Sequence, residues 1–186
     1  MKTRNTRISR RAFLKATAAA TALPTIITSK ALGAADGTPP ASERITLGGI
    51  GVGGRGSGDL GQLMRDKRVQ LLAACDVKYS ALGAWEKRGA RGYLDYRELI
   101  ARNDIDMIMC GAPDHWHAQI TIDAMKTGKD VFCEKPLSLT IREGRKMVQA
   151  ARAYGRIFSC GSQRVIGDYG RLACAARSGR FGKILE

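Results

Sequence analysis

Metal-binding side chains are scarce in this sequence. His115 and His117 are the only histidines among 186 residues. Their H-x-H spacing invites a metal interpretation, but a zinc site needs three or four protein ligands. No other histidine and no ligand-spaced cysteine pair lies near them along the chain. The sequence therefore predicts no metal site.

The sequence also lacks the cysteine pattern of a disulfide framework or a redox pair. It contains five cysteines, an odd number, and no C-x-x-C motif. Four of the five close predicted β-strands, where a free thiol behaves as a small apolar side chain. We predict that all five are reduced and that most are buried. They are Cys75, Cys110, Cys133, Cys160 and Cys174.

Acidic and aromatic residues are both in the minority. Asp and Glu number 17 against 31 Lys and Arg, and aromatic residues make up 6% of the chain. Seven of the basic residues and none of the acidic ones lie in the first 35 residues, so the remainder has 24 basic and 17 acidic residues. This moderate excess suits a ligand that carries phosphate. No cluster of aromatic and basic side chains resembles a nucleic-acid-binding surface, so we predict no nucleic-acid partner.

Residues 1–35 resemble an export signal rather than part of a fold. A basic segment is followed by an apolar stretch at 16–28, broken by threonines and a proline, and by small residues at 33–35. The stretch is too short and too polar for a membrane span. Residues 9–15 (SRRAFLK) resemble the twin-arginine export motif, which is read by a receptor. We expect the twin-arginine export machinery as a partner and a periplasmic or extracellular location; a chance basic amphipathic helix is the alternative.

Residues 36–42 (DGTPPAS) form a polar, proline-rich linker, and the fold is expected to begin at residue 43. A short apolar segment, 45–50, then leads into GVGGRG, which fits G-x-G-x-x-G. In dinucleotide-binding folds these glycines permit the turn, the approach of a pyrophosphate and close helix-strand packing. The helix N-terminus that follows attracts phosphate. A plain glycine hinge is the alternative; the predicted cofactor contacts are Gly51, Gly53, Gly54, Arg55 and Gly56.

An acidic residue follows the next predicted strand, residues 69–75. Asp76 lies 25 positions after Gly51, close to the spacing of about 20 at which a carboxylate accepts hydrogen bonds from an adenosine ribose. Because a carboxylate repels a 2′-phosphate, NAD is favoured over NADP, although Lys78 offers a cation two residues further on. A strand-end or helix-capping aspartate without a ligand is the alternative.

Predicted strands alternate with predicted helices over residues 43–165. This order predicts an α/β fold with a Rossmann-type, doubly wound parallel sheet. The last predicted helix, 141–154, is expected to bury Met147, Val148, Ala151 and Tyr154. Ligands of such sheets lie beyond the carboxyl ends of the strands, which directs attention to three segments. They are 111–117 (GAPDHWH), 134–136 (EKP) and 161–164 (GSQR).

Together these motifs resemble the Gfo/Idh/MocA family, named after glucose-fructose oxidoreductase, inositol dehydrogenase and a rhizopine-catabolism protein. The resemblance covers residues 44–186 and is carried by IGVGGRG, CDV, APDHWHA, GKDVFCEKPL and SGRFGKI. The EKP segment at this distance from a glycine turn is specific, and the other motifs support it. The family more often has threonine where Ala112 stands, so one hydroxyl near the cofactor is missing.

The resemblance implies an NAD(P)-dependent oxidoreductase that transfers hydride between the nicotinamide and a hydroxyl of a sugar or cyclitol. By match, Lys135 is the catalytic lysine beside that hydroxyl, where its amine can exchange a proton. Glu134 is expected near the nicotinamide ribose, and Pro136 after a cis peptide bond. A solvated strand-end lysine and a capping-region histidine are the plainer alternatives. The remaining expected cofactor contacts are Pro113, His117 and Gln163.

The start of the family's α+β substrate domain is expected within residues 166–186, so that domain is expected to be truncated and the chain to be inactive alone. Two other functions stay open. One is a nucleotide-binding module without turnover. The other is an NAD-dependent glycosidase that oxidises, eliminates and re-reduces a sugar with the same cofactor half. A homo-oligomer also stays open for the full-length protein.

Overall fold

The computed structural model describes residues 32–33, 37–162 and 168–183. The twin-arginine motif and Gln163 therefore lie outside the described residues. The chain divides into two compact units, Met1–Ser42 and Glu43–Glu186. In the part of the chain that is described, no helix is both long and apolar enough to span a bilayer.

The second unit is an α/β fold in which strands and helices alternate, as the sequence predicts. Its strands are β1 (Ile45–Ile50), β2 (Val69–Cys75), β3 (Arg91–Tyr93), β4 (Met107–Cys110), β5 (Asp130–Cys133) and β6 (Phe158–Cys160). Its helices are α1 (Gly54–Leu63), α2 (Gly83–Glu86), α3 (Tyr96–Ile100), α4 (Asp114–Lys126), α5 (Ile141–Ala153) and α6 (Asp168–Arg177).

The six strands form one parallel sheet in the order β3-β2-β1-β4-β5-β6. The chain builds one half outward from β1 to β3 and then starts the other half at β4, beside β1. Ile50 at the end of β1 is level with Cys75 on β2 and with Cys110 on β4. The strand order therefore reverses between β1 and β4, and ligands of such sheets bind at that point.

Apolar side chains cover both faces of the sheet. Along β4, Ile108 and Cys110 belong to one buried cluster and Met109 to another. Because successive residues of a strand point to opposite faces, the two clusters lie on opposite sides of the sheet. This arrangement confirms the predicted doubly wound fold.

Helix α5 corrects one detail of the predicted core. It starts with a capping box, in which Thr140 accepts from the backbone of Glu143 and Glu143 accepts in return. Met147 is buried as predicted, but Val148 is 39% exposed and Tyr154 46% exposed. Neighbouring helical positions are about 100° apart, so a helix that buries Met147 turns Val148 sideways toward solvent. Tyr154 follows the last residue of the helix, as its C-cap.

The cysteines follow the prediction closely. Four of them are the last residues of β2, β4, β5 and β6. All five are free, three are buried, Cys160 is half-buried and Cys174 is exposed.

Candidate cofactor-binding site

The glycine turn between β1 and α1 brings three backbone segments into direct contact. Gly51 has φ of +72°, and a Cβ there would overlap the backbone of Ala112. A Cβ on Gly56 would overlap the carbonyl oxygen of Gly51, and one on Gly111 would lie 2.7 Å from the Cα of Gly56. Only glycine permits this approach of β1, α1 and β4.

Helix α1 begins in this turn with an uncapped N-terminus. Gly53 precedes it in an extended conformation and supplies no side-chain cap, and its first turn contains no acidic residue. A Cβ on Gly54 would meet nothing within 4 Å. The first N–H groups of a helix have no partner inside the helix and carry a partial positive charge. The open space and the uncapped terminus fit the pyrophosphate of a dinucleotide.

Asp76, directly after β2, is fixed against the glycine turn. One carboxylate oxygen accepts from the backbone N–H of Gly53 at 3.0 Å, and the other accepts from that of Lys78 at 2.9 Å. Each oxygen keeps a further lone pair for another donor. Trp85 also contacts the turn, because its indole N–H donates to the carbonyl oxygen of Val52 at 3.4 Å. The carboxylate is therefore preset beside the turn, which is the arrangement that binding of a ribose hydroxyl requires.

A cleft of about 630 Å³ opens at the carboxyl edge of the sheet. Its volume lies within the range of about 300–1,000 Å³ that is typical of small-molecule and cofactor sites. Because it contains Asp76 and the turn, we call it the adenosine cleft, after the half of a dinucleotide that this position binds in sheets of this type. The predicted contacts that line it are Gly51, Gly53, Gly54, Asp76 and Pro113.

Trp116, from the segment 111–117 that the sequence singled out, also lines the cleft, as do two larger side chains that sequence reasoning missed, Tyr96 and Arg97. The rings of Tyr96 and Trp116 meet edge to face with centroids 6.2 Å apart. The Tyr96 hydroxyl donates to Asp123 at 2.9 Å, which holds its ring at the cleft wall. Tyr96 and Arg97 follow β3, so the strand-end rule would have identified them had it been applied to that strand.

His117 has a different role from the predicted cofactor contact. It lies in the first turn of α4, as expected, but it is only 1% exposed. Its Nδ1 lies 2.6 Å from the carbonyl oxygen of Pro136, and its Nε2 lies 2.8 Å from that of Ala112. Carbonyl oxygens only accept, so both ring nitrogens donate and the imidazole is a cation. His117 therefore ties the segment after β4 to the segment after β5.

The fold brings two cysteine thiols close to His117 that the local sequence does not show. Parallel pairing sets Cys110 opposite Cys133, and the ligand atoms of these two residues and of His117 lie within 4.8 Å of one another. Sequence spacing could not reveal this cluster because it is formed across two strands. Both ring nitrogens of His117 donate to carbonyls, however, so neither has a lone pair for a metal ion. The geometry argues against metal binding here.

The charge of His117 makes the stability of the fold depend on pH. Its hydrogen bond with the Cys133 side chain, opposed by burial and helped by the Pro136 and Ala112 carbonyls, raises the pKa of His117 from 6.5 to about 9. A raised pKa in the folded state stabilises fully below about pH 6.5, and the stabilisation is lost as pH rises through about 9. We expect urea unfolding to show a loss of about 3 kcal/mol across this window.

The variant His117→Gln should abolish most of this pH dependence, while His115→Gln, which removes an exposed neighbouring histidine, should preserve it. An identical pH profile for the parent protein and for His117→Gln would contradict a cationic His117.

The EKP segment follows β5 at the same edge of the sheet. The Lys135–Pro136 bond is cis, as the sequence predicted. Glu134 is only 4% exposed, and its carboxylate accepts from the backbone N–H of Lys135 at 2.8 Å. The Lys135 side chain is exposed and does not line the adenosine cleft. The segment is therefore fixed through a buried acid, with the lysine directed to the surface.

Arg55 and Glu134, both predicted cofactor contacts, are bonded to each other. Nε of Arg55 lies 3.2 Å from Oε1 of Glu134. The same guanidinium makes a bidentate ion pair with Asp59, an acid that the sequence did not single out. The glycine turn and the EKP segment are thereby connected through one side chain.

The structure and the sequence are similar to those of several known proteins. An inositol dehydrogenase, myo-inositol 2-dehydrogenase from Lactobacillus plantarum, superposes with a TM-score of 0.66 at 33% identity, over 76% of this chain and 43% of that one. The WlbA dehydrogenase from Chromobacterium violaceum, solved with NADH and UDP-GlcNAcA, has a TM-score of 0.68 at 28% identity, over 78% of this chain and 43% of that one.

Among curated proteins, an alpha-N-acetylgalactosaminidase from Shewanella oneidensis is 32% identical over 162 residues, which are 79% of this chain and 35% of that protein. A glycosyl hydrolase family 109 protein from Shewanella sp. strain ANA-3 matches with the same identity and coverage. The chain thus spans about a third of the length of these relatives.

Residues 45–162 match the family model described as an oxidoreductase family with an NAD-binding Rossmann fold. The matched range contains the glycine turn, Asp76, the cleft and the EKP segment. The observed strand order and the cleft agree with the cofactor that this family binds. The chain therefore belongs to the Gfo/Idh/MocA family of NAD(P)-binding oxidoreductases, as its motifs predicted.

Proposed function

We propose that the protein binds NAD along the carboxyl edge of its sheet and, in its full-length form, transfers hydride between NAD and a hydroxyl-bearing carbon of a sugar or cyclitol. One observation carries the proposal: the strand order brings the glycine turn, the preset Asp76 carboxylate and Lys135 to a single edge. The chemistry that NAD supplies when bound is the acceptance and return of a hydride at its nicotinamide.

Each part of this edge has a distinct task in the proposal. The N-terminus of α1 attracts the pyrophosphate, and Asp76 accepts hydrogen bonds from the adenosine ribose. Lys135, exposed after β5, takes the proton from the substrate hydroxyl during oxidation and returns it during reduction. His117 and Glu134 hold the lysine-bearing segment in place through its backbone.

A glycosidase is the second candidate, because relatives at 32% identity are named as glycosyl hydrolase family 109 proteins and as an alpha-N-acetylgalactosaminidase. A redox glycosidase would use the same cofactor half but would regenerate NAD in each cycle. The two functions therefore differ in products. A dehydrogenase accumulates NADH in proportion to substrate, whereas a redox glycosidase releases sugar with no net NADH.

The preference for NAD over NADP tests the assignment of Asp76. Calorimetric titration is expected to show tighter binding of NAD, because a 2′-phosphate would face a fixed carboxylate. Asp76→Asn, which removes the charge but keeps an acceptor, should shrink the difference by about tenfold, or ~1.4 kcal/mol. Asp66→Asn removes an exposed carboxylate paired with Arg68 and serves as the matched control. Equal affinities of the parent protein for both cofactors would contradict the assignment.

We propose further that residues 9–15 direct export of the folded protein by the twin-arginine route. The support is the motif SRRAFLK within a basic-apolar-small leader. Arg10→Lys with Arg11→Lys should retain the protein in the cytoplasm, because lysine lacks the planar fork of arginine. Arg4→Lys with Arg7→Lys makes the same chemical change outside the motif and should leave secretion intact. Normal secretion of the first variant would refute this route.

A further inference from the structure

At the start of α1, the exposed cation Arg55 contacts two buried acids. The Arg55 side chain is 60% exposed, whereas Asp59 is 8% exposed and Glu134 4% exposed. Nη2 of Arg55 lies 2.7 Å from Oδ1 of Asp59. Its Nε lies 3.1 Å from Oδ2 of Asp59 and 3.2 Å from Oε1 of Glu134. Since Nε carries one hydrogen, the two carboxyl groups share that donor.

The ionised form of Asp59 depends on this arginine. Burial raises the pKa of Asp59, the hydrogen bond that its protonated form donates to Glu134 and the negative charge of Glu134 raise it further, and Arg55 opposes the rise. Two carboxyl groups in one buried site resist being ionised together unless a cation balances them. Drawing the guanidinium away would therefore favour a proton on Asp59. The neutral acid would then donate a hydrogen bond to the Glu134 carboxylate.

The position of Arg55 gives it a competing partner. It is the second residue of α1, at the uncapped N-terminus that fits a pyrophosphate. A guanidinium binds phosphate oxygens as readily as it binds a carboxylate, through the same paired N–H groups. The exposed Arg55 side chain is able to turn from the two acids to the helix N-terminus. Its guanidinium N–H groups cannot bond fully to the acids and to a phosphate at the same time. The negative charge of a phosphate bound at the turn would also make the ionised form of Asp59 less stable.

We propose that binding of NAD to this site is coupled to the uptake of one proton from solvent by Asp59, with Arg55 as the link. The inference rests on the proposed NAD site. Among the residues that the structure describes, the groups that act on Asp59 are Arg55 on its own helix and Glu134 after β5, and Glu134 also interacts electrostatically with the Cys160 thiol of β6. The affinity for NAD therefore rises as pH falls through the titration of Asp59, by at most tenfold per pH unit.

Calorimetry of NAD binding in HEPES and in Tris at equal pH tests the coupling, because the buffer that releases the proton contributes its own enthalpy. The parent protein is expected to show a difference that corresponds to uptake of up to one proton per NAD. Asp59→Asn should bind NAD at least as tightly, with the same enthalpy in both buffers. Asp66→Asn, which removes an exposed carboxylate, should retain the proton uptake.

A second variant keeps the test informative if Asp59→Asn does not fold. Arg55→Gln should weaken NAD binding and also lose the proton uptake, because Asp59 then holds its proton before NAD arrives. Undiminished uptake in either variant, or NAD binding by the parent without uptake, would overturn the coupling and leave the NAD site standing. Failure of the parent to bind NAD at all would contradict the proposed function, and the coupling with it.

Discussion

Gly56→Ala is expected to abolish NAD binding and to destabilise the fold by about 3 kcal/mol or more, at or above the upper end of overpacking effects. The added Cβ would overlap the carbonyl oxygen of Gly51 and lie 3.4 Å from the Cα of Gly111. Both neighbours are backbone, so no side chain can move aside to make room. Relief requires α1 to separate from β1 and β4, which opens the turn that would hold the pyrophosphate. Urea unfolding and NAD titration measure the two effects.

Gly58→Ala is the matched control for this variant. It lies in the same helix two residues further on, where a Cβ meets nothing within 4 Å. Alanine favours the helical conformation over glycine, so the fold should gain about 0.5–1 kcal/mol and NAD affinity should be unchanged. Similar behaviour of the two variants would show that the close contact at Gly56 is not what the turn depends on.

Lys135→Ala is expected to slow hydride transfer by about 10²–10⁴-fold, the usual contribution of a general acid or base. The test uses a chain that includes the substrate domain expected after residue 165. NAD affinity should change by less than about threefold, or ~0.7 kcal/mol, because the side chain does not line the adenosine cleft. Single-turnover measurement of NADH formation separates the two effects.

Lys146→Ala is the matched control, because it removes an exposed lysine that lies on α5, away from the EKP segment. It should leave both the rate of hydride transfer and the affinity for NAD unchanged. Equal losses of NAD binding and hydride transfer in Lys135→Ala would make Lys135 a binding residue rather than a catalytic one. Turnover by the 186-residue chain at the rate of the longer one would contradict the proposed need for a substrate domain.

The sequence predicted the parts of this fold that depend on local patterns. Strand β2 has the predicted bounds, 69–75, because its compact apolar run ends sharply at a charged residue. The glycine turn and Asp76 were also predictable, since the spacing of a strand-turn-helix unit fixes their relation. The alternation of strands and helices predicts one helix over residues 79–88, but this stretch forms a short 3-10 turn and the four-residue α2. Glycines at 83 and 89 weaken a helix over this stretch.

Contacts made across strands could not be predicted in the same way. Arg55 and Glu134 are separated by 79 positions, and they meet only because β1, β4 and β5 are neighbours in the sheet. The Asp59 carboxyl carries no sequence signal, because aspartate in the second turn of a helix is unremarkable until its surroundings are known. The two carbonyl partners of His117 likewise depend on the meeting of the segments after β4 and β5.

A crystal structure of the protein grown with NAD tests the central claim most directly. The account predicts the adenosine ribose on Asp76, the pyrophosphate at the N-terminus of α1 and the nicotinamide on the side of the sheet edge where Lys135 lies. NAD bound away from the glycine turn, or bound in it with the nicotinamide in the cleft beside Asp76 and Trp116, would contradict the account.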